Sequence, residues 1–455
     1  MSGTRSPWPC AALLAALTAA LALTFTRGGT LGHRDPLYGW YAVDLALFAA
    51  AVLALRRAPG RHVTALVLAG GVAVALSGLL VPPRTSDDAY RYLWDGRVQA
   101  AGISPYAYPP DAPRLAGLRA EAPALFPPHG PCVGWDERIA APGFCSHVNR
   151  PNVVTIYPPV AEVWFLGLHL VEHGHGVRAA QAGGALLAVA TTALLLLVLP
   201  AERRRRAALW AWFPGTAVWA VNDAHVDTLG ALLTVAGLAL AVRGRRVAAG
   251  AALGGAAAVK LIPALAWPGA LSGVLARRPR WRDLLLPGAA VAVFVLSYLP
   301  YLLLSGRKVV GFLPGYLRQE GYDQGDVQRF GLLRLVLPDS AAAVGAVLAV
   351  LVAVLWVLRY GDPARPWRGA LLVTGTALLA LTPGYPWYGL LLVALVALDG
   401  RWEWLAVPAA AEVVYLAGTR TEQPAYAAAL VLVLVGAAVR WRLTRRGCPP
   451  AGSRP

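Results

Sequence analysis

Charged residues are scarce in this chain. Of its 455 residues only 14% are Asp, Glu, Lys or Arg, whereas soluble domains carry about 25%. Acidic residues are the rarer kind, with 24 against 41 basic ones. No stretch is polar enough to form an appended soluble domain, and no internal repeat is visible. These absences argue against an ordinary soluble enzyme.

What the sequence contains instead is a series of apolar runs of about 17–20 residues along most of its length. Mean hydropathy is +0.53. Such runs are too long and too uniform for barrel strands, and an open sheet cannot sit in lipid. The sequence therefore predicts an all-α polytopic membrane protein. The first run, residues 10–26, has no clear cleavage site before a polar mature start, so we predict a retained span.

The arginines stand in short clusters between the apolar runs, and the net charge is +17. Cytoplasmic loops have this composition, so the charge predicts an inner face toward anionic lipid and no nucleic-acid partner. Counting loops from an inner N-terminus gives about 12–14 spans. If residues 157–171 crossed the membrane, the four consecutive arginines at residues 203–206 would lie outside the cytoplasm, against the pattern of the other loops. We predict an interfacial or re-entrant helix there, with Pro158 and Pro159 in its first turn.

This topology predicts one transmembrane domain over residues 1–442 and a disordered cytoplasmic tail over residues 443–455. Two large loops, residues 83–156 and 305–340, are predicted to lie outside the cytoplasm. The first loop contains Cys132 and Cys145. In an extracytoplasmic loop the pair forms a disulfide or stays as two free thiols, and both alternatives remain open.

The conspicuous polar residues converge on the predicted outer side. They are Asp87, Asp88, Arg91, Asp95, Arg97, Asn222, Asp223, His225, Asp227 and Lys260, with the second outer loop and the PGYPWYG turn. The cytoplasmic loops hold arginine and little else. This asymmetry favours an active site at the outer face, since a transporter more often has ionisable residues near mid-membrane and repeated halves. Asp44 and Glu412, which lie within spans, are expected to be locally satisfied polar groups.

Residues 85–106, TSDDAYRYLWDGRVQAAGISPY, place two adjacent carboxylates where an apolar span ends. The run resembles the D-x-D-Y…D-A-A…G-x-S-P-Y segment of mannosyltransferases that use a dolichol- or polyprenyl-phosphate mannose donor, within the glycosyltransferase C superfamily. The matching positions are Asp87, Tyr90, Asp95, Gly102, Ser104, Pro105 and Tyr106. Ala89 stands where that family has its second aspartate, and Asp88 replaces it in a shifted place. Which carboxylate is the base therefore stays open.

Three further motifs share the resemblance. TIYPPVAE, with Tyr157, resembles the tyrosine–proline motif that opens the helix after the first loop. AVKLIP, with Lys260, resembles a lysine–proline motif of actinobacterial mannosyltransferases. TPGYPWYG resembles their late H-P-W-Y turn, with Tyr385 where histidine is usual. The Ala- and Arg-rich composition fits a high-GC bacterium.

The resemblance implies a glycosyltransferase C-type fold whose large extracytoplasmic loop carries interfacial helices. It implies transfer of mannose from a polyprenyl phosphate to a glycan or lipid acceptor with inversion, at the outer face of the cell membrane. Asp87 or Asp88 is expected to deprotonate the acceptor as general base. The residues expected to bind substrate or its phosphate are Tyr90, Arg91, Asp95, Arg97, Tyr157, Asn222, Asp223, His225, Lys260, Arg318, Arg329, Trp387 and Tyr388.

Several of these residues have structural alternatives. The acidic pair also suits a helix cap, Arg91 and Arg97 suit bridges to nearby aspartates, and Lys260 suits an interfacial position. Trp387 and Tyr388 suit an aromatic belt. We expect no cofactor and no metal, although Asp87, Asp88 and Asp223 together offer a Mg²⁺ or Mn²⁺ site. The alternative functions are the same fold with polyprenyl-phosphate arabinose or glucose, or a lipid-linked glycan transporter or flippase.

Overall fold

The structure is a computed structural model that describes residues 6–127, 132–140, 143–172, 176–278, 280–322 and 329–446. Helices dominate it. In the first half these are α1 (Trp8–Arg27), α2 (Asp35–Leu55), α3 (Gly60–Ser77), α4 (Asp88–Ala100), α5 (Ala116–Ala120), α6 (Pro159–Glu172), α7 (Val177–Val198), α8 (Ala208–Ala211) and α9 (Asp227–Val242), with a π-helical turn over Thr216–Asn222 and the strands β1 (Arg138–Ala140) and β2 (Phe144–Ser146).

The second half is also helical. It contains α10 (Arg246–Ala257), α11 (Trp267–Ala270), α12 (Leu285–Ser305), α13 (Leu313–Gln319), α14 (Asp339–Tyr360), α15 (Pro366–Leu381), α16 (Leu390–Asp399), α17 (Ala406–Ala417) and α18 (Glu422–Arg446). Short 3₁₀ turns lie between or extend the helices, at Pro113–Leu115, Ala201–Ala207, Ile262–Ala266, Val274–Ala276, Trp281–Leu284, Gly306–Val310, Leu333–Leu335, Pro386–Gly389, Trp402–Leu405 and Thr419–Thr421.

Seven helical segments in the described part of the chain are long and apolar enough to cross a membrane. They correspond to α1, α2, α3, α7, α12, α14 and α18. An eighth candidate is the bent pair of the π-helical turn and α9, and three shorter apolar helices occur over Ile262–Ala276, Pro366–Leu381 and Pro386–Asp399. An all-α polytopic membrane protein is thereby confirmed. The count of about 12–14 crossings stays a prediction.

Helices α3 and α7 show which loops share an end of the molecule. At one end, Arg178 at the start of α7 donates a hydrogen bond to the carbonyl of Leu79, just after α3. At the other end, Arg205 after α7 donates to the carbonyl of Leu55, just before α3. The arginine clusters that follow α2 and α7 thus lie together. They are separated from the acidic pair by the length of α3, about 27 Å for 18 residues.

The first large loop folds into a helical layer of its own. In this layer α4 packs against α6, with the rings of Tyr92 and Phe165 stacked 4.3 Å apart. A Cβ atom at Gly96 would come within 2.2 Å of the Phe165 carbonyl oxygen, so this close packing requires glycine. The helix predicted over residues 157–171 is formed as Pro159–Glu172. Its interfacial position stays a prediction.

The second large loop packs against the first. The backbone N–H of Phe312 donates to the carbonyl of Thr155 at 3.0 Å. Arg150 of the first loop donates to the side chain of Gln319 at the end of α13, at 3.2 Å. The two loops, predicted to share one side of the membrane, therefore share one end of the molecule.

A disulfide braces the small hairpin in the first loop. Strands β1 and β2 pair antiparallel, with Arg138 opposite Ser146 and Ile139 opposite Cys145. Cys145 is bonded to Cys132. Of the two alternatives open from the sequence, the structure thus has the bonded one.

The last helix extends beyond the predicted end of the transmembrane domain. The tail predicted over residues 443–455 begins within α18, which ends at Arg446. Residues 447–455 lie outside the described part of the chain. The division into one domain and a tail stays a prediction.

Candidate active site

A cavity of about 1640 Å³ opens beside the N-terminus of α4. Its two ends differ in character. The polar end is lined by Ser86, Asp87, Asp88, Trp135, Arg138, Asn149, Arg150, Tyr157, Lys260, Tyr316, Gln319, Tyr385, Trp387, Tyr388 and Tyr415. The apolar end is lined by aliphatic and aromatic side chains of α12 and α14, with Leu261, Ile262 and Leu265. The predicted acidic pair therefore lies at the wall of a large amphipathic cavity.

Asp223 holds the segment that leads into the acidic pair. Its Oδ1 atom accepts hydrogen bonds from the backbone N–H groups of Thr85 and Ser86, at 3.1 and 3.2 Å. Its Oδ2 atom accepts another from the Thr85 hydroxyl. The neighbouring Asn222 accepts from the backbone of Arg84 at 3.0 Å. Both side chains are fully buried, and these contacts make them positioning groups for the pair.

Asp223 sits at a sharp break in the chain. The π-helical turn Thr216–Asn222 and α9 meet at an angle of 110° across four residues. Ala224 within the break has a positive φ of 55°, in the left-handed region that non-glycine residues rarely adopt. The break places His225 beside Asp88 and Asp223 beside Thr85, although neither side chain lines the cavity. Irregular backbone of this kind is tolerated at membrane depth where it is buried in protein.

The carboxylate of Asp87 faces the hairpin. Asp87 precedes the first turn of α4, but its side chain makes no helix-capping hydrogen bond. It forms an ion pair with Arg138 of β1 and accepts a hydrogen bond from Asn149 at 3.1 Å. Burial raises the pKa of Asp87 to about 6, with Asp88 adding to the shift and Arg138 and Asn149 opposing it. The capping alternative therefore does not account for this side chain.

The carboxylate of Asp88 lies beside that of Asp87, because Asn149 donates to both, and its Oδ2 atom faces Tyr157 and His225. The Asp88 carboxylate accepts hydrogen bonds from Asn149 and, at 3.2 Å, from the Tyr157 hydroxyl. The Nδ1 atom of His225 lies 3.4 Å from its Oδ2 atom, and neither ring nitrogen of His225 has a hydrogen-bond partner within the described residues. Burial alone would raise the pKa of Asp88, but His225, Lys260 and Arg150 together hold it well below its usual range. Asp88 thus stays ionised.

Lys260 brings a cation to the same end of the cavity. Its Nζ atom donates to Asp227 at 2.7 Å and lies 4.5 Å from the centre of the Tyr388 ring. Part of the lysine charge is therefore balanced by Asp227, which lies in the first turn of α9. A second cation, Arg150, lies 5.5 Å from the Tyr316 ring.

A cluster of aromatic rings closes the polar end. The ring of Trp387 stacks on His225 at 3.8 Å and on Tyr385 at 4.9 Å. The hydroxyls of Tyr388 and Tyr316 lie 2.5 Å apart. Because Trp387 is only 5% exposed and is stacked by two rings, little of its surface is available to a sugar.

The apolar end is a groove between α12 and α14. Its walls include Leu299 and Leu302 of α12 and Val347 and Leu351 of α14. Between 46% and 67% of each of these residues is exposed. Apolar side chains that are this exposed on predicted spans face lipid, so the groove is accessible from the hydrocarbon region of a membrane.

Nine of the thirteen predicted substrate contacts do not line the cavity. Three of the nine, Asn222, Asp223 and His225, contact the acidic pair or the segment before it, and the other six have partners elsewhere. Arg91 and Asp95 form a buried ion pair at 3.0 Å, and Arg97 pairs with Glu121. Tyr90 stacks on His147. Arg329 is buried against Glu320, and Arg318 is exposed on α13. The bridge alternative matches Arg91, which pairs with Asp95, and the proposed substrate contacts of all six residues stay predictions.

Several lining residues, Trp135 among them, were not selected from the sequence. Arg138, Asn149 and Arg150 lie in a part of the first loop that carries no recognised motif, and Tyr415 lies in an apolar helix. The pair Cys132 and Cys145 is the feature of the sequence that could have drawn attention to Arg138, because Arg138 lies between the two cysteines. The Tyr415 hydroxyl donates to the carbonyl of Thr85, so it adds to the support of the acidic pair.

Metal binding is not supported by the side-chain geometry of the described residues, among which no group of three or more His, Cys, Asp or Glu side chains converges. Asp223, the third member of the predicted triad, is engaged by the backbone and hydroxyl of residues 85 and 86. The expectation that no metal takes part stays untested.

A polytopic helical protein with buried carboxylates at the wall of a large cavity has the features of a membrane enzyme. A family model described as glycosyltransferase family 87 matches residues 155–383, about half of the chain. The chain belongs to glycosyltransferase family 87 and is a membrane glycosyltransferase. The acidic pair and Trp387 lie outside the matched range. Comparisons with curated proteins and with solved structures give no match.

Proposed function

We propose that this enzyme transfers mannose from a polyprenyl-phosphate donor to a glycan or lipid acceptor at the extracytoplasmic face of the cell membrane, with inversion. The observation that carries the proposal is one cavity that joins buried carboxylates and a lysine to an apolar, lipid-accessible groove. A nucleotide sugar has no apolar part for such a groove to bind. A polyprenyl chain can pack against the apolar walls of such a groove, and this packing lowers the free energy of the bound donor.

The groove supports a long-chain donor by its length. Its wall on α14 extends from Ala343 to Val354, which is about 16 Å along a helix. The wall on α12 runs from Phe294 to Leu302. The aliphatic side chains of the two walls suit a branched isoprenoid, which carries no group that needs a hydrogen bond.

The cations at the polar end support a phosphate. Lys260 and Arg150 both line the cavity, and both act electrostatically on Asp88. A phosphate diester that becomes a monoester gains negative charge, and fixed cations stabilise that charge as it develops. We assign Lys260 and Arg150 to this role in place of the arginines expected from the sequence.

The proposed reaction breaks the bond between C1 of the sugar and the phosphate oxygen, and the electron pair leaves with the phosphate. The acceptor oxygen forms a new bond to C1 from the opposite face, and its proton passes to a carboxylate. Asp87 is our choice for that base, because a pKa of about 6 suits proton transfer near neutral pH. Asp88, which stays ionised, is suited to stabilise positive charge on the sugar ring.

Two parts of the proposal rest on the sequence. The choice of mannose rests on the resemblance of residues 87–106, and arabinose and glucose remain the alternatives for the same site. The choice of face rests on the arginine clusters, which lie at the other end of α3 and α7 and mark the cytoplasmic side.

The test is transfer by the purified protein in liposomes. We expect labelled mannose to move from polyprenyl-phosphate mannose to a glycan or glycolipid acceptor, and no transfer from a water-soluble nucleotide sugar. Polyprenyl-phosphate glucose and arabinose serve as competing donors that decide the sugar. If no sugar moves from any lipid monophosphate donor, the proposed function is wrong.

A further inference from the structure

The acidic pair has two sides with different partners. Asn149 donates to both carboxylates. Apart from this shared partner, Asp87 pairs with Arg138 of the hairpin, whereas Asp88 contacts Tyr157 and His225 and is within the electrostatic reach of Lys260. If the proposed function holds, the phosphate lies on the Asp88 side, where the cation and the groove are. An inverting attack comes from the face opposite the leaving group. The acceptor then enters on the Asp87 side, where the hairpin forms the wall.

The hairpin contributes an aromatic and a cationic side chain to the wall of the cavity. Trp135 and Arg138 both line the cavity, and they lie between the bonded cysteines Cys132 and Cys145. The Cβ atom of Trp135 lies so close to Gly32 that a Cβ atom added there would approach it to 2.7 Å. The backbone and the Cβ atom of Trp135 are therefore held by the disulfide, the strand pairing and the packing on residue 32.

Trp135 differs from Trp387 in what already covers its ring. Trp387 is stacked by His225 and Tyr385. Trp135 is half-buried, and within the described ranges no other ring or cation lies against it. An uncovered indole that lines the same cavity as Arg138 and Asp87 offers what a pyranose ring needs. The ring stacks its C–H face on the indole, and its hydroxyls bond the charged groups.

We infer that the hairpin wall formed by Trp135 and Arg138 is the acceptor subsite, that it takes a carbohydrate, and that Trp135 is the platform for the acceptor sugar ring. Arg138 donates hydrogen bonds to the hydroxyls of that sugar and orients Asp87 toward the attacking one. This assignment rests on the proposed function. It makes the acceptor a glycan or the glycan part of a glycolipid, and it excludes a bare lipid alcohol or a protein hydroxyl.

The experiment compares Trp135→Ala with two matched variants, using a water-soluble oligomannoside as acceptor. Trp135→Phe keeps an aromatic face, and Ile139→Ala changes a neighbouring side chain that is 78% exposed and does not line the cavity. We expect Trp135→Ala to raise the KM for the oligomannoside about tenfold, the upper range of one aromatic contact. The KM for the lipid donor and the slow hydrolysis of the donor by water should stay unchanged. Both control variants should resemble the wild type.

Two results would overturn the inference: an unchanged acceptor KM in Trp135→Ala, or an equal rise in the donor KM. A wild-type enzyme that uses lipid alcohols but no oligosaccharide would also overturn it. Saturation-transfer NMR measures binding of the oligomannoside without any reaction. It therefore shows whether the acceptor subsite or the proposed donor is wrong. If the oligomannoside binds the wild type and Trp135→Ala loses that binding while no lipid donor reacts, the subsite stands and the proposed donor does not.

Discussion

The two ends of the cavity are held in different ways. At the polar end, functional side chains are tied to one another, as Asp87 is to Arg138 and Lys260 is to Asp227. At the apolar end, the walls of α12 and α14 carry side chains such as Val347 that are largely exposed. The two ends therefore differ in how precisely they must position the substrate. Bond breaking requires groups fixed in place before the substrate arrives, whereas a flexible prenyl chain adapts to a groove.

This comparison assigns different kinetic effects to the two ends. Changes at the polar end should lower the rate of transfer, because the groups there act on the transition state. Changes in the groove should weaken binding of the donor tail and leave the chemistry intact. Variants at the polar end therefore test the effect on the rate, and variants in the groove test the effect on donor KM.

Replacing the proposed base should have the largest effect. Asp87→Asn keeps the size of the side chain and removes its ability to accept the acceptor proton. We expect the transfer rate to fall about 10²- to 10⁴-fold, the usual contribution of a general base, with a small change in donor KM. Radiolabelled mannose transfer in liposomes measures both quantities. Asp111→Asn, in the same loop but away from the cavity, is the control and should be fully active.

The pH profile separates Asp87 from Asp88. A general base works only when deprotonated, so the rate should fall about tenfold per pH unit below the Asp87 pKa of about 6 and level off above it. Asp88→Asn should lower the rate but keep a titration near or below this pH, because Asp87 is still present. If Asp87→Asn retains the acid limb and Asp88→Asn loses it, the roles assigned to the two carboxylates must be exchanged.

Filling the groove should have a smaller effect of a different kind. Val347→Trp places an indole in the groove, whereas Leu348→Trp places one on a neighbouring exposed position that does not line it. Displacing about two carbons of the chain costs about 1.6 kcal/mol, or roughly tenfold in donor KM. Donors of increasing prenyl length should show the effect only when they are long enough to reach residue 347. A fall in the rate at saturating donor, with KM unchanged, would contradict the division between the ends.

The sequence predicts the fold well because membrane insertion is governed by features that are local in sequence. Apolar run length and arginine placement are enough to locate α1, α7 and α14. The acidic pair was also found, because charge beside an apolar run is conspicuous in any membrane protein. These signals need no knowledge of long-range contacts.

The partners of the acidic pair were harder to predict, since they depend on contacts across the loop. Arg91 and Arg97 are close to the pair in sequence, yet α4 directs them to Asp95 and Glu121. Arg138 and Asn149 are more than fifty residues away and reach it only because the hairpin and the loop fold back. Sequence proximity therefore does not identify which side chains contact the carboxylates.

Breaking the disulfide should have the smallest effect, confined to the polar end. In Cys132→Ser/Cys145→Ser the hairpin keeps its strand pairing but loses a bond that closes a short loop of 13 residues. We expect the acceptor KM to rise a few-fold, because Trp135 and Arg138 become less fixed. Thermal unfolding of the helical domain should change little, since the hairpin contributes little of its buried core. Activity against oligomannoside concentration and circular dichroism on heating measure the two effects.

The control for the disulfide variant is Cys10→Ser, which changes a buried free cysteine in α1 far along the chain from the hairpin. It should leave the acceptor KM as in the wild type, and a reducing agent should act on the wild type as the double substitution does. A double variant whose donor KM rises while its acceptor KM is unchanged would show that the hairpin serves the groove side. The two ends of the cavity would then be coupled. The hairpin, which lies beside the reacting atoms, would then affect binding of the donor as well as binding of the acceptor.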